Sequence, residues 1–267
     1  MNLLLAANCL LCFLLRMIHP TAVIDPGAKL AENVSVGAFA VIEADVVIAE
    51  GTSILTGTVL HSGSRIGKNC ALGPYAVVGG EPMDTKFGGE DSLAIIGDDV
   101  VLREFATVHR ASGEGAATRV GDGCYIMSYA HITHNVQLGL EVTLTTSAQL
   151  GGYCEVGDYA FIGSTAILHQ FCRIGAYAIY GAGSASNQDV LPYSMVRGNP
   201  AKHLRLNKVG LERRGITGER YKLIEKGLRA IRRKDEQLLE ALAGQSKDVK
   251  YMLEFLKSSE RGICRFV

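Results

Sequence analysis

Four histidines fall in the middle of a chain otherwise rich in small and aliphatic residues: His109, His131, His134 and His169. They can point outward and merely hydrogen-bond, they can ligate a metal, or one can serve as a general base, since imidazole is the side chain that titrates near neutral pH. His131 and His134 are three residues apart, which on six-residue faces flips the side-chain direction rather than pairing two ligands, and no CxxC…CxxC pattern accompanies them. No metal and no cofactor are expected. Asp84 and Lys86 stand together in GGEPMDTKFGGEDSL, and Arg213 and Arg214 belong to a basic stretch, Arg197 to Lys234, with 13 Lys/Arg against 3 Asp/Glu. Such a stretch is either a solvated helical face or a docking surface for an acidic partner or a phosphorylated substrate.

The elements that must hold these groups are written in a period of six. Of the 27 positions from 18 to 174 that are multiples of six, 24 are Ile, Leu or Val, the exceptions being Asp84, Glu90 and Glu114. That period fits neither a helix nor a simple strand and signals a solenoid of hexapeptide repeats. The next residue is often Gly, as at Gly37, Gly67 and Gly163, where a tight corner can need a positive φ. Four residues after the aliphatic one comes a small residue such as Ala40, Thr58 or Ala160. Each hexad therefore reads as a short strand and a turn, three hexads close a coil, and about nine coils stack at the strand spacing into a parallel β-helix.

Two breaks interrupt the period without shifting its phase, 79–93 and 110–119, and each should project a loop from one edge of the solenoid. The pattern stops near residue 190. A Pro-punctuated connector follows, and from Val209 the spacing of Leu211, Tyr221, Leu223, Ile224, Leu228 and Ile231 turns helical. The expected division is an apolar extension over 1–16, a β-helix over 17–190, and a connector with a helical domain over 191–267.

Charge and cysteine usage narrow the class. Lys plus Arg and Asp plus Glu both number 27, so nucleic acid is not an expected partner. Cys70, Cys124, Cys154 and Cys172 occupy the small inward slot and read as buried packing residues, and the total of seven argues against a disulfide framework, so the cytoplasm is the expected compartment. The first sixteen residues lack a basic leading region and a small-residue cleavage site and are short for a membrane span; the expectation is a mis-assigned start, with Met17 the first residue.

On the stretches DTK (84–86), IGDDVVLREFATVHR (96–110), YAHITHN (129–135), AILHQFCRIGA (166–176) and GLERRGI (210–216), the chain resembles the UDP-N-acetylglucosamine O-acyltransferases that open lipid A biosynthesis. The resemblance runs from about Met17 to about Lys226. It implies a left-handed parallel β-helix with a C-terminal α-helical domain, assembled as a homotrimer with its sites between neighbouring solenoids. It also implies two substrates, an acyl-carrier protein bearing an acyl, 3-hydroxyacyl, chain and UDP-N-acetylglucosamine. Carried over by position, His134 is the base that takes the proton of the glucosamine 3-hydroxyl, and the Gly152 N–H is the oxyanion donor. Asp84 and Lys86 contact the sugar and phosphates, and His131, His169 and Gln170 line the cleft. Asn207, Arg213 and Arg214 hold the nucleotide end, and Ala182 stands where the acyl chain length is set.

Three departures from the family pattern are visible. Asn135 stands where Asp usually follows the catalytic histidine, Tyr153 where many members have His, and Pro200 in place of another frequent His. Two other readings share the β-helix. A related sugar N-acyltransferase would carry an extra N-terminal uridine-binding domain. A non-catalytic trimeric hexapeptide scaffold leaves Asp84, Lys86, His134, His169 and the twin arginines together without a reason.

Overall fold

The computed structural model describes residues 18–267. The apolar segment 1–16 and the start at Met17 lie outside the described residues. Most hexads form a two-residue strand whose second residue is the column aliphatic, as in Val41–Ile42, Val47–Ile48 and Ser53–Ile54. Successive side chains of a strand point to opposite faces, so the column residue turns inward and its predecessor outward. Three consecutive strands lie on three different faces, and all described pairings between successive coils are parallel, as in Val41↔Val59 and Val47↔Arg65. The first face holds nine strands from Val23–Ile24 to Ala185–Ser186. The second holds eight from Lys29–Leu30 to Arg173–Ile174, and the third holds ten, starting at Ser35–Val36.

The core is the interior of this prism. Ile42, Ile48, Ile54, Leu60, Leu72, Ile126 and Leu150 are buried, and with them the small slot of Ala40, Thr58, Cys70, Cys154 and Ala160. Each fully buried aliphatic contributes about 1.5–3 kcal/mol. The four slot cysteines are free and buried, and burial pushes their thiols up to about 11 or 12, so they remain protonated packing groups.

Except at Gly79, which opens the long loop with φ +82°, the glycine after a column residue is there for closeness rather than for a positive φ. A Cβ on Gly37 would stand 2.8 Å from the Thr56 N of the next coil. The left-handed residue lies two positions later, and there side chains other than glycine predominate: Phe39, Tyr75, Phe105, Tyr129, Asn135, Tyr153, Tyr159, Phe171 and Tyr177 all have φ near +60°. That conformation costs an L-residue about 1–2 kcal/mol. Stacking along the edges offsets part of it: Tyr75, Phe105 and Tyr129 form one ladder with centroids 5.4 and 5.0 Å apart, and Tyr159, Tyr177 and Tyr193 another at 4.8 and 5.5 Å.

Beyond Tyr180 the third face is finished by an antiparallel pair, Ser194–Gly198 with Ala201–Leu206. Helices α1 (Lys208–Arg213), α2 (Gly218–Arg233), α3 (Glu236–Ala243) and α4 (Lys247–Lys257) follow. They enclose a second apolar core that includes Leu211, Ile224, Leu239, Val249 and Met252. Helix α4 lies against the second face, where the Arg173 guanidinium sits 4.5 Å from the Phe255 ring centroid. The tail then returns to the solenoid end, pairing Asp189 with Ile263 and burying Cys264 in the prism core.

Candidate active site

Both interrupting loops leave the prism at the edge between the first and second faces. The longer connects Val77–Gly80 on the first face to Leu93–Ile96 on the second, and the shorter connects Thr107–His109 to Ala117–Val120. One coil further on, the same edge is the turn Thr133–Asn135, between His131–Ile132 and Gln137–Leu138. His134 therefore stands directly beyond two loops that the repeat itself does not need.

The hydrogen bonds fix which nitrogen of His134 is basic. Asn135 Oδ1 accepts the Ser112 N–H at 2.9 Å while Nδ2 donates to the Ser112 carbonyl at 3.0 Å, which sets the orientation of the amide. His134 Nδ1 lies 2.9 Å from that same Oδ1 and must donate to it. The lone pair is left on Nε2. Asn135, an amide where a carboxylate is usual in the family, thus orients the ring without bringing a charge to it.

Nε2 lies over Gly152, in the turn one coil further along, where a Cβ would stand 2.6 Å from both Nε2 and Cε1. The Gly152 carbonyl accepts from Phe171 N–H at 2.9 Å, whereas the Gly152 N–H has no hydrogen-bond partner among the described residues. A basic nitrogen and an unengaged backbone donor are thus neighbours. Tyr153 walls the site edge-on to His134 at 5.3 Å and stacks on Phe171 at 4.8 Å.

The long loop brings Asp84 to this corner. Its carboxyl is held below the usual carboxylate range, first by the Lys86 N–H it accepts at 3.0 Å and further by Ser112 and the nearby His134. Lys86 is exposed on the same loop. His131 faces outward on the first face, its Nδ1 2.6 Å from Thr107 Oγ1 and its ring edge-on to His109 at 5.2 Å. Burial, and then the neighbouring His109, push its pKa down, so it is neutral at pH 7.

His169 and Gln170 continue the edge beyond Gly152, both exposed. Arg261, from the C-terminal tail, reaches His169 Nδ1 at 2.9 Å, and the Gln170 carbonyl oxygen lies 3.2 Å from the same nitrogen. Arg261 was invisible to sequence reasoning, because its partner lies 92 residues away and nothing in the repeat marks it. Ser112 was missed as well, since its role is carried by its backbone. Glu90, which ties the two loops together, did leave a trace as one of three charges in the aliphatic column.

The remaining predicted residues lie elsewhere in the single chain. Asn207 is buried and caps α1, accepting from Gly210 N–H at 3.0 Å and donating to the Tyr177 carbonyl at 2.8 Å. Arg213 is exposed at the end of that helix. Arg214 pairs with Glu141 at 2.6 Å and lies over Tyr159 at 4.2 Å, on the edge between the second and third faces. Ala182 is exposed on the edge between the third and first faces. Among the described residues, no group of three or more His, Cys, Asp or Glu is placed to hold a metal ion.

The chain matches two family profiles: that of the second domain of UDP-N-acetylglucosamine O-acyltransferases over residues 189–264, and the bacterial transferase hexapeptide profile over 45–80. It is 38% identical to the acyl-[acyl-carrier-protein]–UDP-N-acetylglucosamine O-acyltransferase of Thermodesulfovibrio yellowstonii over 255 residues, covering 93% of this chain and 99% of that protein. It is 42% identical to the enzyme of the same name from Alkalilimnicola ehrlichii, with the same two coverages. Among solved structures, the UDP-N-acetylglucosamine acyltransferase of Francisella novicida is similar with a TM-score of 0.90 at 33% identity, over 93% of this chain and 94% of that one. The Bacteroides fragilis enzyme is similar with a TM-score of 0.88 at 33% identity, over 93% and 100%.

Proposed function

The chain belongs to the acyl-[acyl-carrier-protein]–UDP-N-acetylglucosamine O-acyltransferase family, and from that premise we propose how its own residues carry the transfer. The enzyme moves an acyl chain from acyl-carrier protein to UDP-N-acetylglucosamine, the entry into lipid A biosynthesis. The observation that carries the mechanism is the seating of His134 Nε2 over Gly152, beside a backbone N–H with no partner among the described residues.

His134 Nε2 takes the proton of the glucosamine 3-hydroxyl as that oxygen attacks the thioester carbon. The C–O bond forms, and the carbonyl oxygen becomes an oxyanion facing the Gly152 N–H. As the tetrahedral centre collapses the C–S bond breaks, and the imidazolium returns its proton to the departing thiolate. Asn135 holds the ring in the required tautomer throughout. Asp84 and Lys86 hold the sugar and its phosphates, with His131, His169 and Gln170 lining the cleft. Arg213 and Arg214 suit the nucleotide end by charge and bidentate geometry, with Asn207 beside them.

The character of the three faces supports a homotrimer. Outward positions of the second face are largely polar or charged (Lys29, Arg65, Arg119, Gln137, Glu155 and Arg173), whereas the first exposes Val23 and Ile167 and the third Phe161. Packing the first face of one chain on the third face of the next covers the apolar surfaces and closes around a threefold axis. The same contact brings the His134 edge of one subunit against the Arg214 edge of its neighbour, completing a site that a single chain leaves divided. The acyl-carrier protein, an acidic partner, fits the basic 197–234 stretch. No described helix is long and apolar enough to cross a membrane, and the carrier-protein substrate is consistent with a cytoplasmic location.

The test is mass spectrometry of the product formed from UDP-N-acetylglucosamine and a panel of acyl-carrier-protein thioesters, run with the native enzyme and with Ala182→Gly. A single O-acylated UDP-sugar is expected, with a longer preferred chain in the variant. Each buried methylene is worth about 0.8 kcal/mol, so accommodating one or two more shifts selectivity by about tenfold. No acylated UDP-sugar from any thioester would contradict the function; an unchanged chain distribution would place the length determinant elsewhere.

A further inference from the structure

We propose that Glu90 is a positioning residue that couples the sugar-binding loop to the catalytic base, an inference that rests on the assignment of His134 as that base. Glu90 stands at a column position where 24 of 27 residues are aliphatic, yet its side chain is not in the prism core. Its carboxylate joins the two loops. Oε2 accepts the Gly88 N–H of the long loop at 2.8 Å, and Oε1 accepts the Gly113 N–H of the short loop at 2.7 Å. Ser112 Oγ approaches Oε1 at 3.4 Å. Backbone N–H groups hold this carboxyl below the usual carboxylate range, so it is ionised and purely an acceptor.

From Ser112 the connection runs without a gap to the reacting nitrogen. Its N–H and carbonyl are both engaged by the Asn135 amide, and the same Asn135 oxygen receives His134 Nδ1–H. A second strap runs alongside, Gly115 N–H to the Asp91 carbonyl at 2.8 Å. The long loop carries Asp84 and Lys86, so a sugar nucleotide seated on them bears on a loop that is tied through Glu90, Ser112 and Asn135 to the base. Only a carboxylate serves at position 90: an amide would aim its NH2 group at one of the two N–H donors and lose that bond.

The test is a double-mutant cycle with UDP-N-acetylglucosamine and an acyl-carrier-protein thioester as substrates. Glu90→Gln removes one charge-assisted bond; Asn135→Gly removes the relay side chain while tolerating the positive φ of 61° at that position. Glu90→Gln should lower kcat between about ten- and a hundredfold, the scale of one lost hydrogen bond to a charged group. It should raise KM for the sugar nucleotide and leave KM for the carrier protein and Tm unchanged. In the Asn135→Gly background the same change should cost less than about twofold in kcat. An equal loss in both backgrounds, a wild-type kcat, or a loss accompanied by a lowered Tm would overturn the role. His134→Ala is run in parallel. Retention of activity there overturns the base and the role of Glu90 with it, whereas its loss together with additive Glu90 effects overturns Glu90 alone.

Discussion

The His134 imidazole fills the space that a side chain on Gly152 would take, with a Cβ there standing 2.6 Å from Nε2. Gly152→Ala should push the ring off its seat while leaving the prism intact, because the turn faces outward from the core. A misplacement of this size costs on the order of 10²-fold in rate. Steady-state kinetics beside a thermal melt checks it; wild-type kcat would show that the ring has room to move.

Arg213 and Arg214 should both contribute to sugar-nucleotide affinity, with different salt dependence. Arg214 is held by Glu141 and Tyr159, whereas Arg213 has no ion pair among the described residues. Replacing either by Ala should weaken binding about tenfold, and raising the salt should shrink the Arg213 effect more. Calorimetry with UDP-N-acetylglucosamine at low and high salt measures this. Unchanged affinity in both variants would move the pair to carrier-protein docking, where only KM for the carrier protein would respond.

His203 should make stability fall at acid pH. It is buried, Nε2 accepting from Leu191 N–H at 3.1 Å and Nδ1 lying 2.7 Å from the Cys264 carbonyl, and burial pushes its pKa down to about 4. The unfolded chain binds this proton near pH 6.5, above the folded pKa. The stabilisation is therefore complete above pH 6.5 and is lost as pH falls toward 4, by about 3 kcal/mol at most. Melts between pH 7.5 and 4.5 should show a steeper decline for the native enzyme than for His203→Gln; parallel curves would mean that His203 does not carry the effect.

The solenoid was legible because its six-residue period is set by burial, and burial acts on every coil alike. The loops were legible as interruptions of that period, and the slot cysteines as small inward groups. The reason for the glycines was not. The period shows that Gly37 sits at a corner, but not that the next coil crosses within 2.8 Å of where its Cβ would be. Nor could it show that the left-handed residue falls two positions later, on residues such as Tyr75 and Asn135. The site was legible in part. His134 and Asp84 carry their chemistry in their side chains and share one edge, whereas Ser112 acts through its backbone and Arg261 arrives from 92 residues away. Asn207 shows the converse, its side chain serving as a helix cap.

The general-base role of His134 is tested most directly by the single-turnover rate of acyl transfer in His134→Ala, with native size and Tm verified beforehand. Loss of the base should slow transfer by about 10²–10⁴-fold while both substrates still bind. A variant that folds, assembles and transfers the acyl chain at the native rate would contradict it.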